Sequence, residues 1–245
     1  MNNELKLSII IPAYNEEKNI YQTVDQIVSC HDLLDYEYEI IVVVDGSTDR
    51  TEREARRHRS KRVKVFSYAK NRGKGAALKY GVNKASGNIV TFTDAGGDFD
   101  PKQFDKFIKV LEAFDADFVI GSKRHPASRV DYPLRRRVYS YIYHRLIRTF
   151  FRLPVTDTQT GLKVLKTTVA RKIMPRIIVK QYAFDLEMLV VAQQLGFRRI
   201  FEAPIEMKFN GSTTGISVKT VLRMITDTLA IFYRAYILRY YTKKS

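Results

Sequence analysis

The chain has 245 residues, 45% of them hydrophobic, enough to bury a sizeable core, and it contains no Pro-, Gly- or Ser-rich stretch that reads as a disordered linker. Forty-two Lys and Arg against 26 Asp and Glu give a formal charge of +16, which favours an anionic partner: nucleic acid, anionic lipid or a phosphate-rich substrate. The single cysteine, Cys30, rules out an intramolecular disulfide framework and a cysteine-based zinc site.

Met1-Asn2-Asn3-Glu4 lacks the basic start of a signal peptide, and the apolar run Ile9-Ile10-Ile11 stops at Pro12. Short β-rich runs then alternate with helical patterns. Leu5 to Ile11, Glu39 to Val44, Val63 to Ser67, Ile89 to Thr93 and Phe118 to Ile120 read as strands, mostly buried on both faces, while Ile20, Val24, Ile27 and Val28, and later Phe104, Phe107, Ile108 and Leu111, lie at helical spacing. This alternation predicts an α/β fold with a mostly parallel sheet covered by helices on both faces. Asp49 with Glu52 suits a capping box, and Asp100-Pro101 suits an N-cap followed by proline at the first helical position. Both place loops at strand carboxyl ends, where open α/β sheets bind ligands.

Three of those loops carry chemistry. In Asp45-Gly46-Ser47-Thr48-Asp49, Asp45 either contacts a nucleobase or ribose or serves as a turn carboxylate, and Ser47, Thr48 and Asp49 read as turn and capping residues. Asn71-Arg72-Gly73-Lys74-Gly75, before a helix starting near Ala76, suggests a diphosphate cradle of Lys74 and free helix-start N–H groups, without matching the Walker pattern. In Asp94-Ala95-Gly96-Gly97-Asp98, hard carboxylate ligands suit Mg²⁺ or Mn²⁺, so Asp94 and Asp98 are the expected metal ligands.

Further on, Tyr132 to Arg152 has Leu134, Val138, Ile142 and Leu146 at four-residue spacing among many arginines, and Val218 to Tyr241 is a second amphipathic segment with Lys243-Lys244 behind it. Within the latter, Val221 to Leu238 is the best apolar stretch, but Arg223, Asp227 and Arg234 interrupt it short of the roughly 18 apolar residues a spanning helix needs. Membrane contact is therefore expected to be peripheral. The organisation expected is one catalytic domain over 1–217, with a basic insertion helix at about 132–152, and an amphipathic helix and basic tail over 218–245.

Taken in order, Ser8 to Glu17, the Asp45 loop, the Asn71 loop and the Asp94 turn resemble family-2 inverting glycosyltransferases of the GT-A (Rossmann-like) fold. Gly121-Ser122-Lys123-Arg124, Asp157 to Lys163 and Phe184-Asp185-Leu186-Glu187 look like the acceptor motifs of dolichyl- and polyprenyl-phosphate sugar synthases, the dolichyl-phosphate glucose synthase branch above all. The resemblance implies a nucleotide-sugar donor, UDP-glucose first and GDP-mannose second, held by Pro12, Tyr14, Glu16, Asp45, Lys74, Asp94 and Ala95. It implies a dolichyl or polyprenyl phosphate acceptor bound by Lys123 and Arg124, with Asp157 as a base or an orienting group, at the cytoplasmic face of a membrane. The family's second metal-turn Asp is replaced by Gly96, and Asp98 is expected to supply the missing carboxylate. Asp185 and Glu187 read as a helix-start pair. A nucleic-acid-binding protein is the main rival, since charge alone fits it, but no recognised nucleic-acid motif is present and the acidic turn, Asp94 to Asp100, repels phosphate unless a cation intervenes. A dinucleotide oxidoreductase is disfavoured because Pro12-Ala13-Tyr14 stands where Gly-x-Gly-x-x-Gly belongs.

Overall fold

The computed structural model describes residues 6–31, 36–130, 143–180, 183–207 and 218–243. In chain order the elements are β1 (Lys6–Ala13), α1 (Ile20–His31), β2 (Glu37–Asp45), α2 (Thr51–Arg56), β3 (Val63–Tyr68), α3 (Lys74–Lys84), β4 (Ile89–Phe92), α4 (Gln103–Ala113), β5 (Phe118–Ser122) and β6 (Arg129–Val130). There follow α5 (143–150), β7 (Lys163–Lys166), α6 (Thr167–Ile173), α7 (Phe184–Gln194), β8 (Ile200–Pro204), β9 (Glu206–Met207) and α8 (Val218–Phe232), which runs into a π-helical turn, Tyr233–Ile237.

Seven strands form one sheet in the order β3-β2-β1-β4-β7-β5-β8, parallel except for β7, which runs antiparallel to both neighbours. Strand direction explains the layering. Successive side chains alternate faces, so Ile10, Ile41 and Val43 pack under α3, α6 and α7, joined by Ile147 and Phe151 of the α5 region and Ile231 of α8. Ile9, Ile11, Ile40 and Val42 face the other way, against α1, Ala55 of α2 and Phe104, Phe107 and Leu111 of α4. Because β2 and β3 lie on one side of β1 and β4 on the other, the winding reverses at β1/β4. A crevice at the strand carboxyl ends belongs there.

Several expectations need correction. β3 is a half-buried edge strand and not one covered on both faces. Asp49 and Glu52 form no capping box: Asp49 Oδ1 accepts from the Thr51 amide at 3.0 Å, while Glu52 turns to Ser67 Oγ and Arg56. Asp100 caps the turn before α4, accepting from the Lys102 amide at 2.9 Å, and α4 itself begins at Gln103. The first half of the Tyr132 to Arg152 segment, with Leu134, Val138 and Ile142, lies outside the described residues, as do the 217/218 boundary and Lys244. No helix among the described residues is long and apolar enough to cross a membrane.

Candidate active site

The carboxyl ends of β1 and β2 carry two loops that are stitched together. Asn15, at φ 55°, accepts from the Thr48 amide through Oδ1 at 2.9 Å and donates its own amide to Ser47 Oγ at 3.1 Å. The Glu16 amide reaches Thr51 Oγ1 at 2.7 Å, and the Glu17 amide reaches Asp49 Oδ2 at 3.2 Å. Ser47, Thr48 and Asp49 thus serve as loop ties, as the turn reading expected. Glu16 spends one carboxylate oxygen on Asn19 at the head of α1. Pro12 is the penultimate residue of β1, paired with Val43, and Tyr14, 47% exposed, projects from the stitched loops.

Asp45, at the end of β2, is buried, and both its oxygens are engaged: Oδ1 accepts from the Arg72 amide at 2.7 Å and Oδ2 from the Gly73 amide at 2.8 Å. The carboxylate therefore holds the Lys74 loop in place. Gly46 allows this approach, since at φ 64° a Cβ would lie 2.3 Å from the Asn71 nitrogen. The Gly75 amide is taken by Lys180 O at 3.1 Å and the Ala76 amide by Gly73 O at 2.9 Å. The expected cradle of free N–H groups is thus largely spent inside the protein, because the Asp45 carboxylate, the Lys180 carbonyl and the loop's own Gly73 carbonyl claim it. What this loop presents to the crevice is the Lys74 side chain.

Lys74 Nζ meets Asp94 Oδ1 at 2.6 Å, with the two side chains 34% and 36% exposed. Burial disfavours both charges, yet each stabilises the other: the Asp94 carboxyl is held below the usual carboxylate range by Lys74, and Lys74 is held above the usual lysine range by Asp94 and then Asp185. Lys163 lies beneath, 1% exposed, donating to Asp185 Oδ1 at 2.7 Å and to Thr160 O. Desolvation lowers the Lys163 pKa against the pull of Asp185. These four residues form a chain of alternating charge under the crevice. The turn is anchored by Thr23 Oγ1, which donates to Ala95 O at 2.8 Å, and Asp98 sits half-buried at its far end.

Asp157 faces this turn from the segment between α5 and β7. Its Oδ2 accepts from the Lys123 amide at 3.0 Å and from Thr160 Oγ1 at 3.0 Å and pairs with Lys123 Nζ at 2.9 Å, while Oδ1 accepts from the Gln159 amide at 3.0 Å. Burial pushes its pKa up, but Lys123 and these donors bring it below the ordinary value. A carboxylate so occupied stays ionised and holds Lys123 in place. Lys123 Nζ also donates to Thr160 Oγ1 at 3.0 Å. His144 of α5 has its pKa lowered by burial and by the charges of Arg124 and Arg148.

Three contributors escape a residue-by-residue reading. Gly161 packs so tightly that a Cβ would lie 2.0 Å from Asp94 Oδ2, joining the 157–161 segment to the Asp94 turn. Lys163 sits inside a motif but gives no sign that it is buried. Glu202 accepts from the Thr156 and Asp157 amides, each at 2.8 Å, and carries no sequence signal at all. Asp185 and Glu187 do occupy the first turn of α7, but each is paired to a distant cation, Lys163 or Arg234.

The metal expectation can be tested against the donor set. Among the described residues no three His, Cys, Asp or Glu side chains gather to hold a cation. Asp94, partly exposed at a turn and already compensating one positive charge, fits a hard cation whose coordination substrate phosphates and water complete, and not an all-protein cage.

Against known proteins, residues 8–174 match the model described as Glycosyl transferase family 2. The chain is 33% identical over 210 residues to a dolichyl-phosphate beta-glucosyltransferase of Drosophila melanogaster, covering 78% of this chain and 64% of that protein. It is 30% identical over 204 residues to one of Homo sapiens, covering 77% and 63%. The chain thus spans less than two thirds of the length of the first curated relatives it matches. Glucosyl-3-phosphoglycerate synthase from Mycobacterium tuberculosis in complex with Mn²⁺, UDP-glucose and phosphoglyceric acid shares the fold, with a TM-score of 0.70 at 20% identity over 93% of this chain and 80% of that one.

Proposed function

We propose that this chain, which belongs to glycosyl transferase family 2, transfers a hexose from a nucleotide sugar, UDP-glucose before GDP-mannose, to a dolichyl or polyprenyl phosphate at a membrane surface. The observation that carries the reading is the contact of Gly161 with Asp94. It makes the turn suited to a donor diphosphate and the segment carrying Asp157, to which Lys123 is paired, two walls of one crevice at the β1/β4 switch.

In this reading an acceptor phosphate oxygen attacks the anomeric carbon while the nucleoside diphosphate departs from the opposite face, inverting the configuration. The acceptor phosphate is already anionic near neutral pH and needs placing more than deprotonating. Arg124 is suited to gripping two of its oxygens. Lys123, aimed by Asp157 and Thr160, adds charge beside it. Lys74 turns from Asp94 toward the leaving diphosphate. Asp94 and Asp98 are the residues that would hold Mg²⁺ or Mn²⁺, which when bound neutralises developing negative charge on that diphosphate. The relatives' printed names, dolichyl-phosphate beta-glucosyltransferase, support the acceptor and the sugar. The solved relative bound to Mn²⁺ and UDP-glucose supports the cation and the base.

The membrane surface is supported by α8 and its π-helical turn. Leu222, Leu229, Tyr233, Tyr236, Ile237 and Tyr240 are all exposed along one stretch, flanked by exposed Arg145, Arg148, Arg223 and Arg239. Tyrosines suit the interfacial depth, and basic residues near an anionic leaflet contribute about 1 kcal/mol each. We place the protein at the cytoplasmic face, as a peripheral protein. The test is a phase-partition assay with labelled donor, Mn²⁺ and dolichyl phosphate. Label is expected in the organic phase from UDP-glucose; its absence with both UDP-glucose and GDP-mannose, beside a positive gel shift with nucleic acid, overturns the reading.

A further inference from the structure

Glu187 takes no part in the chemistry above, yet it is a fully buried carboxylate with four donors. Successive helical residues advance by about 100°, so Asp185 and Glu187 leave α7 on nearly opposite faces. Asp185 points to Lys163, and Glu187 points away from it. Glu187 Oε2 accepts from the amides of Ile178 and Val179, at 2.9 and 2.6 Å. Its Oε1 accepts from Arg234 Nη2 at 2.9 Å and from the Tyr241 hydroxyl. Arg234 Nε binds the same hydroxyl at 2.9 Å, and Arg176 Nε binds the Tyr241 carbonyl at 3.1 Å. Tyr241 is 1% exposed. One carboxylate thus fastens Arg234 and Tyr241 to the backbone of Ile178 and Val179, in the stretch 177–180.

Of that stretch, Val179 and Lys180 lie directly on the start of α3. Lys180 O accepts the Gly75 amide at 3.1 Å. A Cβ on Gly73 would come within 2.5 Å of Lys180 O, and one on Gly75 within 2.9 Å of Val179 O. Lys74 stands between these two glycines, its ammonium on Asp94. The contacts run without a break from Tyr241 and Arg234 through Glu187 to the backbone that aims Lys74.

We infer that Glu187 is a positioning residue of the donor site, carrying the seating of the C-terminal segment to the loop that aims Lys74. The inference rests on the reading of Lys74 as a donor-diphosphate contact. It gives the π-helical turn a role, since that turn brings Arg234 inward while its neighbours Tyr233 and Tyr236 stay exposed.

The test compares wild type with Glu187→Gln and Tyr241→Phe, using UDP and GDP with Mn²⁺ as probes in equilibrium binding and amide hydrogen exchange as the second readout. The glutamine sets an NH₂ group against donors, and the phenylalanine removes one hydroxyl while keeping the ring, so it serves if the first variant fails to fold. Glu39→Gln, at the opposite end of the sheet, is the control for lost stability. Nucleotide binding is expected to weaken roughly three- to thirtyfold in both clasp variants, with faster exchange at Gly75, Ile178 and Val179 and unchanged binding in the control. Wild-type affinity in the clasp variants, or an equal loss in the control, overturns the inference alone. Wild type binding neither UDP nor GDP overturns the donor-site reading and this inference with it.

Discussion

Replacing Gly161 with alanine probes the junction between the two walls of the crevice. The new methyl carbon would stand 2.0 Å from Asp94 Oδ2 and 2.8 Å from its Cγ, where ordinary contact begins at 3.4 Å, with Phe99 at 3.3 Å closing off retreat on that side. Asp94 or the 157–161 segment must then yield by about 1.4 Å; a shift of Asp94 by that much breaks its 2.6 Å pair with Lys74, and a shift of the segment displaces Asp157. Overpacking of this kind costs about 1–3 kcal/mol, and misplacing a catalytic group by about 1 Å costs roughly a hundredfold in rate. Gly161→Ala is therefore expected to lower kcat/KM for hexose transfer about a hundredfold while Tm falls only several degrees and the protein stays folded at 25 °C. Gly96→Ala is the internal control, because its Cβ meets nothing within 4 Å. If Gly161→Ala is destabilised as expected but transfers hexose like wild type, Asp94 is not where the account puts it.

Arg124→Ala is expected to raise KM for the lipid phosphate about tenfold or more with little change in donor KM, in steady-state kinetics with each substrate varied in turn; Arg124→Lys, lacking the two-pronged geometry, recovers only part of the loss. Burial alone lifts the Glu39 pKa, but hydrogen bonds from Lys64, Ser86 and Ser8 bring it down to about 2. The carboxylate's stabilisation is therefore complete above the unfolded value of 4.5 and lost as pH falls toward 2. Glu39→Gln should cost about 2 kcal/mol at pH 7, discounted because Lys64 is half exposed, and the gap from wild type should close in urea melts run from pH 5 down to pH 2. In flotation with anionic liposomes, wild type should rise with the vesicles at low salt, and a Tyr233→Ser/Ile237→Ser double variant should rise less; no association of wild type would remove the membrane surface from the account.

The architecture up to β5 could be read from residues because its cause is local. Runs such as Ile9-Ile10-Ile11 and Ile40 to Val44 declare strands covered on both faces. β7 could not, because Lys163 and Lys166 bracket only two apolar residues, and only the partnership with Asp185 makes a buried Lys163 tolerable. The same limit separates what was legible at the site. Asp94, Lys74, Asp157 and Lys123 stand out by residue type in glycine-bearing or polar loops. Their pairing does not, since it depends on which loops the sheet order makes neighbours. The spent amides of the Lys74 loop show the limit most sharply, for Asp45 and Lys180 that claim them lie far off in the chain. Gly161 was visible as a motif glycine, but the reason for it, the Asp94 carboxylate against its Cα, exists only in three dimensions.

A crystal soaked with Mn²⁺ and UDP-glucose, with data collected at the manganese absorption edge, addresses the site most directly. The expected map has an anomalous peak beside Asp94, bridged to the diphosphate, with Lys74 turned onto the phosphate oxygens. Manganese and nucleotide bound elsewhere, with the Lys74–Asp94 pair intact at full ligand occupancy, would contradict the account.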